Sequence, residues 1–457
     1  MPAQAPETHG KTAFDQQEPP SNRLIDQCVH CGFCLPTCPT YALWNEEMDS
    51  PRGRIYLMKL GLEGKAVMTD KFVSHFDKCL GCMACMTACP SGVQYEKLIE
   101  ATRAQLERNY RREWSDRLHR EFIFTLFPHP LRLRLALLPL WACERIGLRR
   151  FVNRLGLLAL LPARLRAMES QLPVVTGDAI WSRMPERIPA VGRTRKRVGL
   201  LLGCVQRVFF HHVNAATASV LSAEGCEVII PREQGCCGAL MTHAGRLHEA
   251  RAAARDMIDV FERAKVDAVV IDAAGCGSNM KEYSHLLRGD PAYARRAEAF
   301  ASKCRDISEI LAELEPQAPR HPIPLRVAYH DACHLQHAQR VRLQPREVLA
   351  RIPGLEVVEI PESALCCGSA GIYNLVQPTA ASELGQRKVQ NIVSVMPDLL
   401  VTGNPGCILQ ISSGLRQAGH SIPAMHFVEL LDASIRGVMP RGIRPRASAS
   451  THLAPAA

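Results

Sequence analysis

The stretch Cys28-Val-His-Cys-Gly-Phe-Cys-Leu-Pro-Thr-Cys-Pro39 sets cysteines at 28, 31, 34 and 38, the last directly before a proline. A second stretch, CLGCMACMTACP (79–90), repeats that spacing at Cys79, Cys82, Cys85 and Cys89. A C-x2-C-x2-C-x3-C-P run lets three thiolates of one tight turn bind three corners of an iron–sulfur cube. The fourth thiolate, before the proline, turns to a neighbouring cube. The ligand sets should therefore cross. Cys28, Cys31, Cys34 and Cys89 are expected on one [4Fe-4S] cluster, and Cys79, Cys82, Cys85 and Cys38 on the other. Paired C-x2-C units also build zinc sites, but two complete runs with the same C-P ending favour iron. Residues 39–78 contain MDSPRGRIYLMKL, which reads as a turn followed by a helix. A mostly helical two-cluster ferredoxin-type domain is thus expected over residues 23–100.

Further along, QGCCGAL (234–240) and LCCGSAG (365–371) each place two adjacent thiols before a glycine. Both belong to an internal duplication within residues 196–436. RVGLLLGC ends at Cys204 and LRVAYHDAC at Cys333, while DAVVIDAAGC ends at Cys276 and PDLLVTGNPGC at Cys407. The equivalent positions 204/333, 236/366 and 276/407 lie 129, 130 and 131 residues apart. Strand-like runs alternate with helical stretches, which predicts two tandem α/β units with parallel strands, 196–315 and 316–436. The whole chain then reads as an α+β multidomain protein.

The cysteines of each unit fall just past strand ends, where open α/β sheets hold their sites. Cys204, Cys236, Cys237 and Cys276 form one four-thiol set; Cys333, Cys366, Cys367 and Cys407 form the other. Adjacent Cα atoms stand only ~3.8 Å apart, shorter than the usual disulfide span of about 4.4–6.8 Å. Neighbouring thiols are better placed to grip metal, so each set reads as an additional iron–sulfur or redox site. Buried, inert cysteines are the plainer alternative.

Nineteen cysteines in 457 residues, 47% of them hydrophobic, suit two or three cored domains using thiols for chemistry. MPAQAPETHGKTAFDQQEPP at the start is polar and lacks the apolar core of a secretory leader, so a cytoplasmic location is expected. The net charge of +10 is concentrated, since residues 103–166 carry fourteen arginines, no lysine and five acids. Within the basic helical segment 101–195, arginines alternate with FIFTLF (122–127), LALLPLWAC (135–143) and LGLLALLPA (155–163). None of these runs approaches the ~18–20 apolar residues that span a bilayer. Amphipathic helices with a basic face are expected, suited either to solvent or to peripheral contact with the cytoplasmic face of the inner membrane. Residues 1–22 and 437–457 read as disordered ends. No G-x-G-x-x-G follows a strand and no phosphate loop is present. The chain has relay centres without an evident flavin or nicotinamide site, so substrate oxidation is expected on a partner.

The ferredoxin runs, SPRGRIYLMK (50–59), the GCCGA and LCCGSAG turns and CHLQHAQ (333–339) resemble the iron–sulfur subunits of bacterial glycolate oxidase. That group lies within the wider cysteine-rich CCG-domain family, with heterodisulfide reductase and anaerobic glycerol-3-phosphate dehydrogenase subunits. The resemblance covers roughly residues 20–435. It implies an oxidoreductase subunit that relays electrons from FAD-containing subunits, which oxidise glycolate to glyoxylate, toward a quinone or other acceptor. A disulfide-reductase-like subunit, or one serving lactate or glycerol 3-phosphate, is the alternative. A nucleic-acid partner is not expected, because the basic segment is apolar and poor in aromatics for stacking on bases.

In the heterodisulfide reductases the CCG motif has five cysteines, ends in C-x-x-C and holds non-cubane clusters. Here Cys276 is followed by Gly277-Ser-Asn279 and Cys407 by Ile408-Leu-Gln410, so the fifth ligand is absent from both repeats. His330, His334 and His337 are expected to be loop histidines hydrogen-bonded to backbone, as the first repeat has no matching set. Cys143, Cys226 and Cys304 fit no repeated pattern and read as core residues.

Overall fold

The computed structural model describes residues 12–156 and 163–443. Helices Pro39–Trp44, Pro51–Leu62, Asp70–Asp77, Ala84–Ala88 and Tyr95–Asn109 surround the two cysteine turns. Ser50 starts the second of these, its hydroxyl accepting the Gly53 N–H at 3.0 Å. Pro51 follows at the first helical position, where a missing N–H costs nothing. The apolar faces meet in one core of Ile55, Met58, Phe72, Phe76, Leu98 and Leu106. The last helix runs past the expected boundary at residue 100 because Thr102, Ala104 and Leu106 continue its buried face.

Residues 12–22 depart from the expected disorder. Phe14 is buried in the same core against Phe72, with ring centroids 6.0 Å apart. Asp15 accepts from Gln105 and Arg108. Residues 1–11 and 444–457 of the expected disordered ends lie outside the described residues. Met439 and Ile443, also in the expected tail, pack on the C-terminal core.

Helices Trp114–Leu126, Pro130–Arg145, Leu148–Arg154 and Ala163–Gln171 make up the basic segment. Several of its arginines are used internally. Arg112 bonds Asp77 at 2.7 and 3.0 Å, Arg149 bridges Glu144 and Glu169, and Arg134 donates to the Ser182 carbonyl. Among the described residues no helix is long and apolar enough to cross a membrane.

The duplicated region forms two sheets. Strands β1 (Arg187–Ile188), β2 (Lys196–Leu200), β3 (Cys226–Ile229), β4 (Ala268–Ile271) and β5 (Cys304–Asp306) are ordered β1-β3-β2-β4-β5. Strands β6 (Arg326–His330), β7 (Glu356–Glu359), β8 (Leu399–Thr402) and β9 (Ala424–His426) are ordered β7-β6-β8-β9. Every pairing is parallel except β1 with β3. Without the β1 edge the two orders are identical. The central strands read AVVI and LLVT and are buried throughout, as parallel strands covered on both faces must be. In each sheet the winding reverses between the first and third strands, which opens a crevice at their carboxyl ends. Cysteines 204, 276, 333 and 407 follow those strand ends.

The repeats pack through exchanged helices. His211–Ala223 of the first lies on Phe427–Arg436 of the second, and Ile307–Glu313 lies on Leu343–Ala350. A shared core of Val198, Leu221, Val270, Val327, Val401 and Leu430 fills the junction.

Both Cys-Cys-Gly turns need their glycine. Gly238 has φ +82° and Gly368 φ +90°, in the left-handed region. A Cβ on Gly368 would lie 2.6 Å from the Ala381 carbonyl oxygen, whereas on Gly238 the nearest atom is 3.2 Å away. Gly368→Ala is therefore expected to lower stability by about 2–4 kcal/mol through left-handed strain plus backbone overlap. Gly238→Ala should cost about 1–2 kcal/mol. Urea denaturation of the two variants checks the ranking.

Candidate iron–sulfur centres

The two ferredoxin turns fold alike at equivalent positions. His30 (φ 54°) and Gly32 (φ 88°) are left-handed in the first, Gly81 (φ 64°) and Met83 (φ 62°) in the second. This curls three thiols of each run toward a common centre. Cys38, Cys79, Cys82 and Cys85 line one pocket together with Arg54, Leu80 and Tyr95. Burial raises the Cys28 thiol, and the charges of Cys89 and Cys31 beside it add to the rise. Cys38 of the first run thus lies among the thiols of the second, and Cys89 lies by Cys28. The two sets also differ in depth. Cys31 is exposed and Cys28, Cys34 and Cys89 are half-buried, whereas Cys38, Cys79, Cys82 and Cys85 are all buried.

A buried cation accompanies the inner set. Arg54, 1% exposed, donates to the His75 carbonyl at 2.5 Å and to Thr40 Oγ1 at 3.1 Å, and pairs with Asp49 at 3.5 Å. Asp49 also meets His75 Nδ1 at 2.8 Å and Lys78 Nζ at 2.9 Å. Burial alone would lower the Arg54 pKa, but nearby Cys79, Tyr95, Cys38 and Asp49 outweigh it and hold the guanidinium charged. An all-sulfur, dry donor set beside a fixed positive charge fits an anionic thiolate-ligated iron–sulfur cube.

In the first cysteine-rich unit, Cys204 Sγ and Cys236 Sγ stand 3.5 Å apart. The Cys237 carbonyl accepts from Asn279 Nδ2 at 2.7 Å and the Tyr283 hydroxyl at 2.6 Å. Ile123 and Phe124 of the basic segment pack into the same cluster. Hydrogen bonding to Cys236, and then burial, push the Cys204 thiol far up; Cys236 rises to about 12. Cys276 is half-buried.

The second unit is different. Cys333 Sγ and Cys366 Sγ are 3.8 Å apart, and Asn404 Nδ2 donates to Cys407 Sγ at 3.3 Å. A hydrogen bond from Cys366, helped by His334, holds Cys333 well below the ordinary thiol range. Hydrogen bonds from Cys366 and Cys407 do the same for Cys367. Cys82 of the inner ferredoxin set shares one buried cluster with Cys333, Cys366, Leu80, Leu365 and Tyr373. Thr87 Oγ1 meets His337 Nδ1 at 2.8 Å, and His337 Nε2 meets the Ala364 carbonyl at 3.1 Å. The ferredoxin-type unit therefore docks on the second cysteine pocket, while the basic segment covers the first.

The three histidines separate in role. His337 has the expected backbone bond, but it and His334 lie in the helical turn His334–Ala338 rather than in a loop. His334 Nε2 faces His243 Nε2 of the first repeat at 3.1 Å. His330 is not a loop residue: it ends β6, is 1% exposed, and neither ring nitrogen has a hydrogen-bond partner. Cys226 and Cys304 are fully buried core residues and Cys143 is half-buried. Arg54, the cation beside the inner set, carries no motif of its own within SPRGR and was invisible to spacing.

Two four-cysteine runs on a helical frame, joined to a duplicated cysteine-rich α/β unit, define an iron–sulfur protein of the two-cluster electron-carrier class. Family models agree: a 4Fe-4S dicluster domain matches residues 24–93, and a cysteine-rich domain matches 198–281 and 327–412. The linker region of glycolate oxidase iron–sulfur subunits matches residues 115–172. The chain is 37% identical over 420 residues to the glycolate oxidase iron–sulfur subunit of Escherichia coli K12, covering 91% of this chain and 95% of that one. It is 39% identical to a probable glycolate oxidase iron–sulfur subunit of Bacillus subtilis 168, covering 88% and 92%. The chain belongs to the family of glycolate oxidase iron–sulfur subunits, and its cofactors are two [4Fe-4S] clusters. Lactate utilization protein A of an Exiguobacterium strain is 30% identical over 52% of this chain and 98% of its own length. A crystal structure of a hypothetical Helicobacter pylori protein shares the fold at TM-score 0.53 and 10% identity, covering 84% of this chain and 68% of that one.

Proposed function

We propose that this chain is the electron-transfer subunit of a glycolate-oxidising flavoprotein complex. It takes electrons released when FAD-containing partner subunits oxidise glycolate to glyoxylate, and hands them toward a quinone or another acceptor. The burial gradient across the two cysteine sets carries this reading. Bound at these thiolates, [4Fe-4S] groups supply one-electron chemistry. Cys31 lies at the surface between Val29 and Phe33, which are 67% and 66% exposed and offer an apolar collar to a partner. Cys38, Cys79, Cys82 and Cys85 keep water from the inner centre, and Cys82 brings it against Cys333 and Cys366. The residues thus order a path inward from a partner-facing surface to the second cysteine-rich pocket. A strain lacking only this chain is expected to lose glycolate-dependent dye reduction while its flavin-bearing subunits persist. Undiminished reduction overturns the reading, and lactate offered to the intact complex distinguishes the two acids.

We also assign a peripheral membrane contact to the basic segment. Trp114, Leu118 and Phe122 recur every fourth residue on one helix face and are 79%, 62% and 52% exposed. Apolar side chains beside an arginine-rich surface match the requirements of an interfacial helix on an anionic membrane. Leu118→Glu combined with Phe122→Glu is expected to abolish flotation of the full chain with anionic vesicles. Cluster content should be unchanged.

A further inference from the structure

We infer that the second cysteine-rich pocket holds a single divalent d-block cation, zinc or ferrous iron, bound by His330, Cys367 and Cys407. The ligand atoms of these three residues all lie within 4.8 Å of one another, and all three are buried. Donors at ~2.0–2.3 Å from one ion stand at most about 4.6 Å apart, so a small inward shift brings all three onto one centre. Among the described residues no other three donors converge so closely, the eight ferredoxin cysteines included. The four inner ferredoxin cysteines share one pocket, with no three of their donor atoms so close together. The His330 group is spaced for one ion.

The second observation is the orphaned imidazole. His330 is 1% exposed, neither ring nitrogen makes a geometrically formed hydrogen bond, and the polar group its imidazole interacts with is the Cys367 thiol. A buried imidazole left so costs free energy unless something else takes the lone pair. Two thiolates and an imidazole form a donor set suited to zinc and to ferrous iron, and poorly suited to magnesium or calcium.

The duplication supplies an internal control. In register with Cys204 and Cys333, the residue equivalent to His330 is Leu201, which is buried in apolar surroundings. The first pocket therefore has four thiols and no imidazole.

Metal and sulfide analysis of the full chain, purified anaerobically, tests the site. About eight irons and eight sulfides from the ferredoxin-type unit should be accompanied by about one further zinc or iron without sulfide. His330→Leu, which copies the first repeat, and Cys407→Ser should each lose that one metal and keep the eight irons. His330→Cys should retain it. The inference is overturned by no metal beyond eight irons, or by a further metal indifferent to both substitutions. Four further irons with matching sulfide, lost together, also overturn it and make the pocket a cluster site. None of these outcomes depends on glycolate turnover, so failure here leaves the electron-transfer reading standing.

Discussion

Replacing Cys38 with serine is expected to empty the inner centre, although Cys38 belongs to the outer run by sequence. Cys38 lines the same pocket as Cys79, Cys82 and Cys85, and all four are buried. A serine oxygen is a poorer donor to iron than a thiolate sulfur, and no other cysteine lines that pocket. Iron should fall from about eight to about four per chain, and glycolate-dependent reduction of an acceptor beyond the inner centre should fall to background. Double substitutions separate crossed from uncrossed ligation. Cys38→Ser with Cys85→Ser should remove the same four irons as either alone, a fully non-additive pair. Cys38→Ser with Cys28→Ser should remove all eight. The opposite pattern would mean that each run ligates its own cluster. Cys89→Ser is the mirror case and should spare the inner centre.

How far such outcomes could be foreseen depends on the kind of signal. The placement of Cys38 beside Cys79, Cys82 and Cys85 was legible because the C-P ending aims the last thiol of a run away from its own turn. The α/β repeats were legible because register is local and cumulative: Cys204, Cys236 and Cys276 recur at a nearly constant offset, and the identical strand orders follow. The docking of Cys82 beside Cys333 was not legible. It depends on how Leu80, Leu365 and Tyr373 of separate units pack together, and nothing in one segment announces the other.

His330 shows a different failure. Its mismatch with Leu201 argued for an ordinary loop histidine, since a repeated site was expected to repeat all its ligands. The two pockets have different neighbours: Ile123 and Phe124 of the basic segment join the first, and Leu80 and Cys82 of the ferredoxin-type unit join the second. Phe14 misled in another way. A single aromatic in a polar stretch gives no periodicity, yet it anchors residues 12–22 in the core.

Arg54→Met should be strongly damaging although it touches no proposed ligand. The side chain is 1% exposed, and methionine fills much of its volume while removing the charge and every donor. Three acceptors lose a partner: the His75 carbonyl, Thr40 Oγ1 and Asp49 Oδ1. Breaking a buried ion pair by removing one partner costs about 3–5 kcal/mol. The lower end applies here, because Lys78 and His75 still hold Asp49 at 2.9 and 2.8 Å. Thermal denaturation of the loaded protein should register a loss of about 3 kcal/mol. The electrostatic consequence is separate and has a definite sign. Reduction adds negative charge to the inner centre, and Arg54 is the fully buried cation lining its pocket. Without it the reduced state loses more stabilisation than the oxidised state, so the inner potential should fall while the outer stays nearly constant. A redox titration followed by EPR resolves the two. An inner potential that is unchanged or raised would mean that Arg54 serves the frame alone. A selective fall would identify it as the residue that makes the inner centre the favoured resting place for an electron arriving from the surface.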